Sequence, residues 1–76
     1  MREKKKYKII TFHTTTEAMA MEKYAASHQI GGRLIPVPRE ITAGCGLAWR
    51  MNPEDFPVLE EKLADIRYEQ IVELEL

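Results

Sequence analysis

Two periodicities alternate along the chain. Lys6 to Phe12 (KYKIITF) is rich in Tyr, Ile, Thr and Phe, residues that suit a pleated surface. Ile9 and Ile10 are consecutive and apolar, so they point to opposite faces and predict a strand buried on both sides, central in its sheet. From Thr14 to His28 the period becomes helical, with Ala18, Met21 and Ala25 recurring on one face. Thr14 and Glu17 stand at the separation of a capping box, in which each side chain bonds the other's backbone N–H. Gly31 and Gly32 follow and supply the left-handed conformation that stops a helix.

Arg33 to Pro38 (RLIPVP) reads as a second strand. Pro36 and Pro38 are two apart, so both missing N–H donors lie along one side, which an open sheet edge tolerates and a central strand does not. Arg39 to Gly44 (REITAG) is a loop. Cys45 to Met51 (CGLAWRM) is a third strand, with Leu47 and Trp49 on one face. Asn52 and Pro53 then open a second helix, with Asn52 as its cap and acidic Glu54 and Asp55 in its first turn. Phe56, Leu59, Leu63 and Ile66 make one apolar stripe along it. Glu69 to Leu76 closes the chain as a half-buried strand in which Val72, Leu74 and Leu76 alternate with Glu73 and Glu75.

The order strand–helix–strand–strand–helix–strand predicts an α+β fold, the ferredoxin-like βαββαβ two-layer sandwich with an antiparallel sheet ordered 4-1-3-2. Strand 2 is an edge and strand 1 is central in that order, as the prolines and isoleucines require. A small two-layer α/β sandwich with another strand order is the alternative. Seventy-six residues hold a single domain, 1–76, with the charged Met1–Lys6 (MREKKK) as a flexible lead-in.

Composition narrows the function classes. Eleven Lys and Arg against 12 Asp and Glu give a net charge of −1, which lacks the basic excess of a nucleic-acid module. No apolar run approaches the ~18 residues of a membrane span, and Tyr7 to Phe12 is too short and polar for the apolar region of a signal peptide. The expected setting is cytoplasmic, with neither membrane nor nucleic acid as partner. A single cysteine, Cys45, excludes an intrachain disulfide and a multi-cysteine metal site within one chain. No metal and no cofactor is expected.

That cysteine is the main chemical candidate. Strands 1 and 2 run parallel in the predicted topology. The end of strand 1, the start of helix 1 and the strand 2–3 loop then meet at one end of the sheet. His13, Thr14, Thr15, Thr16, Arg39 and Cys45 converge there, whereas Arg33 and Arg50 lie at the far end. Gly44 and Gly46 flank Cys45 and leave room for a bulky partner to approach the sulfur. The N-terminus of helix 1, Arg39 and His13 are the surroundings that favour a thiolate. Each residue also has a plainer reading. Cys45 would be a small buried hydrophobe, His13 a polar strand end, and the three threonines a helix cap with hydroxyls to spare for an anion.

Two segments, TFHTTTEAMAMEKYA at residues 11–25 and RLIPVPREITAGCGLAWR at residues 33–50, resemble the selenium/sulfur (Se/S) carrier protein-like family of small bacterial proteins. The resemblance runs from about Tyr7 to the second helix, and R-L-I-P-V-P-R-E-I followed by C-G-L-A is its most specific part. It implies that Cys45, before Gly46, carries the chalcogen. The donor it implies is a pyridoxal-phosphate cysteine desulfurase or selenocysteine lyase, and an acceptor protein takes the atom as persulfide or selenopersulfide. Such a role is that of a carrier or accessory protein more than of a stand-alone enzyme, and one cysteine suffices for it.

The rival class is a non-catalytic ferredoxin-like module that binds an effector or forms a homodimer through its open sheet face. A metal-delivery domain of this fold would carry a CxxC loop where His13-Thr14-Thr15-Thr16 stands. An RNA-recognition domain would need exposed aromatics on strands 1 and 3. An acylphosphatase-like enzyme would need a glycine-rich anion loop after strand 1. The CxxC and the glycine-rich loop are not in the sequence, Tyr7 and Phe12 have opposite parity on strand 1, and Trp49 alone sits on strand 3.

Overall fold

The computed structural model describes residues 4–41 and 44–76. Six elements follow in order: β1 (Lys6–Thr11), α1 (Thr15–His28), β2 (Arg33–Pro36), β3 (Leu47–Met51), α2 (Phe56–Glu60) and β4 (Gln70–Glu75). The fold is α+β, with two helices and a four-stranded antiparallel sheet ordered β2-β3-β1-β4. β1 pairs with β3 on one side and β4 on the other, and Ile9 and Ile10 are both fully buried, each from its own face. β2 pairs with β3 alone. The Val37 amide continues that ladder by donating to Gly46 O at 3.0 Å. Alternation along the strand then turns the nitrogens of Pro36 and Pro38 to the open edge, where a missing donor costs no ladder bond.

The core lies on one face of the sheet. Ile10, Trp49 and Met51 meet Ala18, Met21 and Ala25 of α1 there, with Phe12 and Leu59 closing the ends. The small alanines let the helix approach the strands closely, so a short chain still buries a continuous apolar layer.

Local details depart from the sequence pattern. Thr14 is the cap of α1, which stops at Gln29 in the left-handed conformation (φ 56°, ψ 40°), before Gly31 and Gly32 are reached. The second helix is a single short element flanked by 3-10 turns at Pro53–Asp55 and Leu63–Asp65. Lys62, at φ −117°, leaves the helical region, and Asn52 makes no side-chain cap bond. Only Leu59 of the expected stripe is fully buried, while Phe56, Leu63 and Ile66 pack partly buried against the core. The charged lead-in is partly ordered: Lys5 exchanges both backbone bonds with Leu76, at 3.2 and 2.9 Å, and Lys6 is in β1. Residues 1–3 of that expected lead-in lie outside the described residues. No helix among the described residues is long and apolar enough to cross a membrane.

Candidate functional site

The site begins where β1 hands over to α1. Phe12 is fully buried and anchors the junction, which leaves His13 exposed just before the helix cap. Thr14 is extended (φ −138°, ψ 159°), and its hydroxyl accepts the Glu17 amide at 3.1 Å. The expected capping box is therefore half formed. The other half is shifted by one residue: Glu17 Oε1 accepts the backbone N–H of His13 at 2.8 Å and lies 3.1 Å from its Nδ1. A single carboxylate oxygen thus accepts the His13 backbone N–H, in a charge-assisted bond, and lies beside the imidazole of the same residue. The backbone bond from His13, with smaller help from its imidazole and from Arg67, holds the Glu17 carboxyl below the usual carboxylate range, against an opposing effect of burial.

The β2–β3 connection returns to this junction. Ile41 N donates to Pro38 O at 2.9 Å and forms a turn, while Thr42 and Ala43 lie outside the described residues. Gly44 then passes so close to the end of β1 that a Cβ there would stand 3.2 Å from the His13 carbonyl oxygen. Gly46 sits at φ 81°, a conformation that side chains resist, with open space where its Cβ would be. Between them Cys45 is half-buried. Its side chain packs against the edge of the core, and Sγ donates to Leu47 O at 3.5 Å.

Of the residues expected to converge, His13 lies against the backbone of Gly44, the residue before Cys45. Thr14, Thr15 and Thr16 lie exposed at the start of α1. The His13 imidazole is engaged by Glu17, and no hydrogen bond joins it to Cys45 among the described residues. Arg39 is exposed after β2, and no hydrogen bond or ion pair ties it to another described residue. Two participants were not singled out from the sequence as part of this site. Glu17 puts a carboxylate beside the positive end of α1; the sequence marked it as the capping partner of Thr14 and not as a partner of His13. Leu47 supplies the carbonyl that holds the thiol, and a backbone acceptor leaves no mark in a sequence.

A cleft of about 300 Å³ adjoins Glu17 between α1 and the segment before β4, with Tyr24, Asp65 and Arg67 in its wall. Tyr24 donates to Asp65 Oδ2 at 3.0 Å across it and stacks on His28 at 3.9 Å between ring centres.

The sequence pattern of a known family extends over this framework. Residues 6–73 match the family described as "Putative Se/S carrier protein-like", from the first residue of β1 into β4, and the chain belongs to that family. No curated protein and no solved structure matches the chain.

Proposed function

We propose that this protein carries sulfur or selenium on Cys45. The observation that supports the reading most directly is family membership over nearly the whole chain, in a protein with one cysteine. The loop position adds to it: Cys45 is held, half-buried, between two glycines. In the proposed step the Cys45 thiolate attacks the outer sulfur of a persulfide on a donor enzyme. A bond forms between the two sulfurs, the donor's own S–S bond breaks, and the donor leaves as a thiolate. The sulfane sulfur arrives with its proton and no net oxidation takes place. An equivalent attack on a selenopersulfide would load selenium. A cysteine desulfurase or selenocysteine lyase fits as donor, and a second protein thiol fits as acceptor.

The order β2-β3-β1-β4 is 4-1-3-2 counted from the other edge, which supports a ferredoxin-like sandwich. A second reading rests on the sheet face away from α1, where Tyr7, Ile35, Val72 and Leu74 are half-buried. A second copy or a small effector would cover them in the binding-module reading.

Intact-mass spectrometry after incubation with a desulfurase and cysteine tests the carrier reading. The wild type should gain the mass of one sulfur and Cys45→Ser none. A folded wild type that gains no mass from either a desulfurase or a lyase would overturn it in favour of the module.

A further inference from the structure

The carrier reading leaves one charged cleft unused. Arg33 opens β2, and its direct cross-strand partner in β3 is Arg50, so both side chains leave the same face of the sheet. Like charges directly opposite one another are unfavourable in an antiparallel pair. Neither guanidinium has an anionic partner among the described residues, where the ion pairs are Lys8–Glu73 and His13–Glu17. Arg50 packs over the ring of Tyr7, 4.6 Å from its centre. A guanidinium held by its flat face keeps its edge donors for a ligand. The cleft these residues line with Gly32, Met51 and Asn52 measures about 310 Å³, and the Asn52 amide is not spent on a helix cap.

Gly32, in the wall of the cleft, packs its backbone tightly against β3. Gly32 adopts φ 127°, and a Cβ there would stand 2.5 Å from Trp49 Nε1 and 2.6 Å from Arg50 O. Just behind Gly32, the buried Trp49 Nε1 has no hydrogen-bond partner. We infer that this cleft binds a phosphate-class oxyanion between Arg33 and Arg50. A single carboxylate would neutralise only one of the two fixed charges. A tetrahedral dianion has oxygens enough to accept from both forks. A nucleic acid is disfavoured by the net charge of −1 on the whole chain.

The probes are inorganic phosphate and methyl phosphate, titrated at constant ionic strength and followed by amide NMR. Trp49 is the only tryptophan, so its indole N–H is a single reporter beside the site. Saturable shifts confined to residues 7, 32–33 and 49–52 are expected. Affinity should fall roughly ten-fold or more in Arg33→Gln and in Arg50→Gln, and vanish in the double variant, as loss of charge-assisted forks requires. Tighter binding of methyl phosphate would identify the phosphate group of a larger molecule as the ligand; tighter binding of the inorganic ion would identify the free ion. Shifts that never saturate, that chloride reproduces, or that persist unchanged in the variants would overturn the proposal. Should Arg50→Gln unfold on losing its seat on Tyr7, the exposed Arg33→Gln decides alone. Cys45→Ser should bind phosphate as the wild type does, which separates this test from that of sulfur loading.

Discussion

The thiol of Cys45 donates to the carbonyl oxygen of Leu47, 3.5 Å away, across the left-handed Gly46. A cysteine carrying an extra sulfur has no proton on its inner sulfur, so loading would remove this bond and release the side chain from the start of β3. The bond is weak and the side chain only half-buried, so its loss costs little. Cys45→Ser and Cys45→Ala should each unfold within about 1 kcal/mol of the wild type. Urea midpoints check this. A variant that cannot fold would make the cysteine a structural residue, because both substitutions keep the loop's backbone.

The two positive-φ glycines separate backbone strain from steric conflict. Gly46→Ala meets nothing within 4 Å, so its cost is conformational, about 1–2 kcal/mol. Gly32→Ala carries the same kind of strain and also drives a Cβ to 2.6 Å from the Arg50 carbonyl oxygen, which strand pairing holds in place. Its cost should be about 3–5 kcal/mol. Denaturant midpoints that rank the two the other way would show that the close approach behind the arginine cleft relaxes freely.

Much of this architecture was legible because each signal had one physical meaning. Two adjacent isoleucines need two buried faces, and β1 is the strand with neighbours on both sides. Two prolines of equal parity need an unpaired side, and β2 has one. The second helix was less legible because its spacing is ambiguous. Phe56 to Leu59 and Leu63 to Ile66 are three-residue steps that suit a 3-10 turn as well as an α-helix, and the chain breaks between them. The site was readable as a place in the fold and less so as a set of contacts. Strand topology brings Gly44 to His13, but whether an imidazole turns to a thiol or to a carboxylate depends on side-chain rotamers, and Glu17 is the nearer partner in sequence.

Glu17 should make stability fall in acid. Its carboxyl is held below the ordinary carboxylate value of about 4.3, chiefly by the His13 backbone N–H. The unfolded chain therefore binds the proton more tightly than the folded one. The contribution is complete above the unfolded value and is lost as pH falls through the lower, folded value. Glu17→Gln should be less stable than the wild type at neutral pH and converge with it under acid conditions. Parallel denaturation curves at the two pH values check this. A constant difference would mean that the amide loses shape complementarity, with charge playing no part.

Tyr24 should act at the opposite end of the pH scale. Burial raises its phenol above the ordinary value, and the hydrogen bond to Asp65 and that carboxylate's charge push it the same way. A group raised on folding contributes stability that is complete below its unfolded value, about 10, and is lost as pH rises through the folded value. Alkaline titration should thus loosen the clasp between α1 and the Leu63–Asp65 turn before the sheet opens. Asp65→Asn keeps an oxygen acceptor but removes the charge, so Tyr24 should then ionise closer to its ordinary value. Tyr24→Phe should remove the late-ionising phenol from the ultraviolet titration. If Asp65→Asn leaves the titration unchanged, the carboxylate's charge contributes nothing and burial accounts for the shift. If Tyr24→Phe removes no late-ionising phenol, the clasp does not hold the hydroxyl in solution.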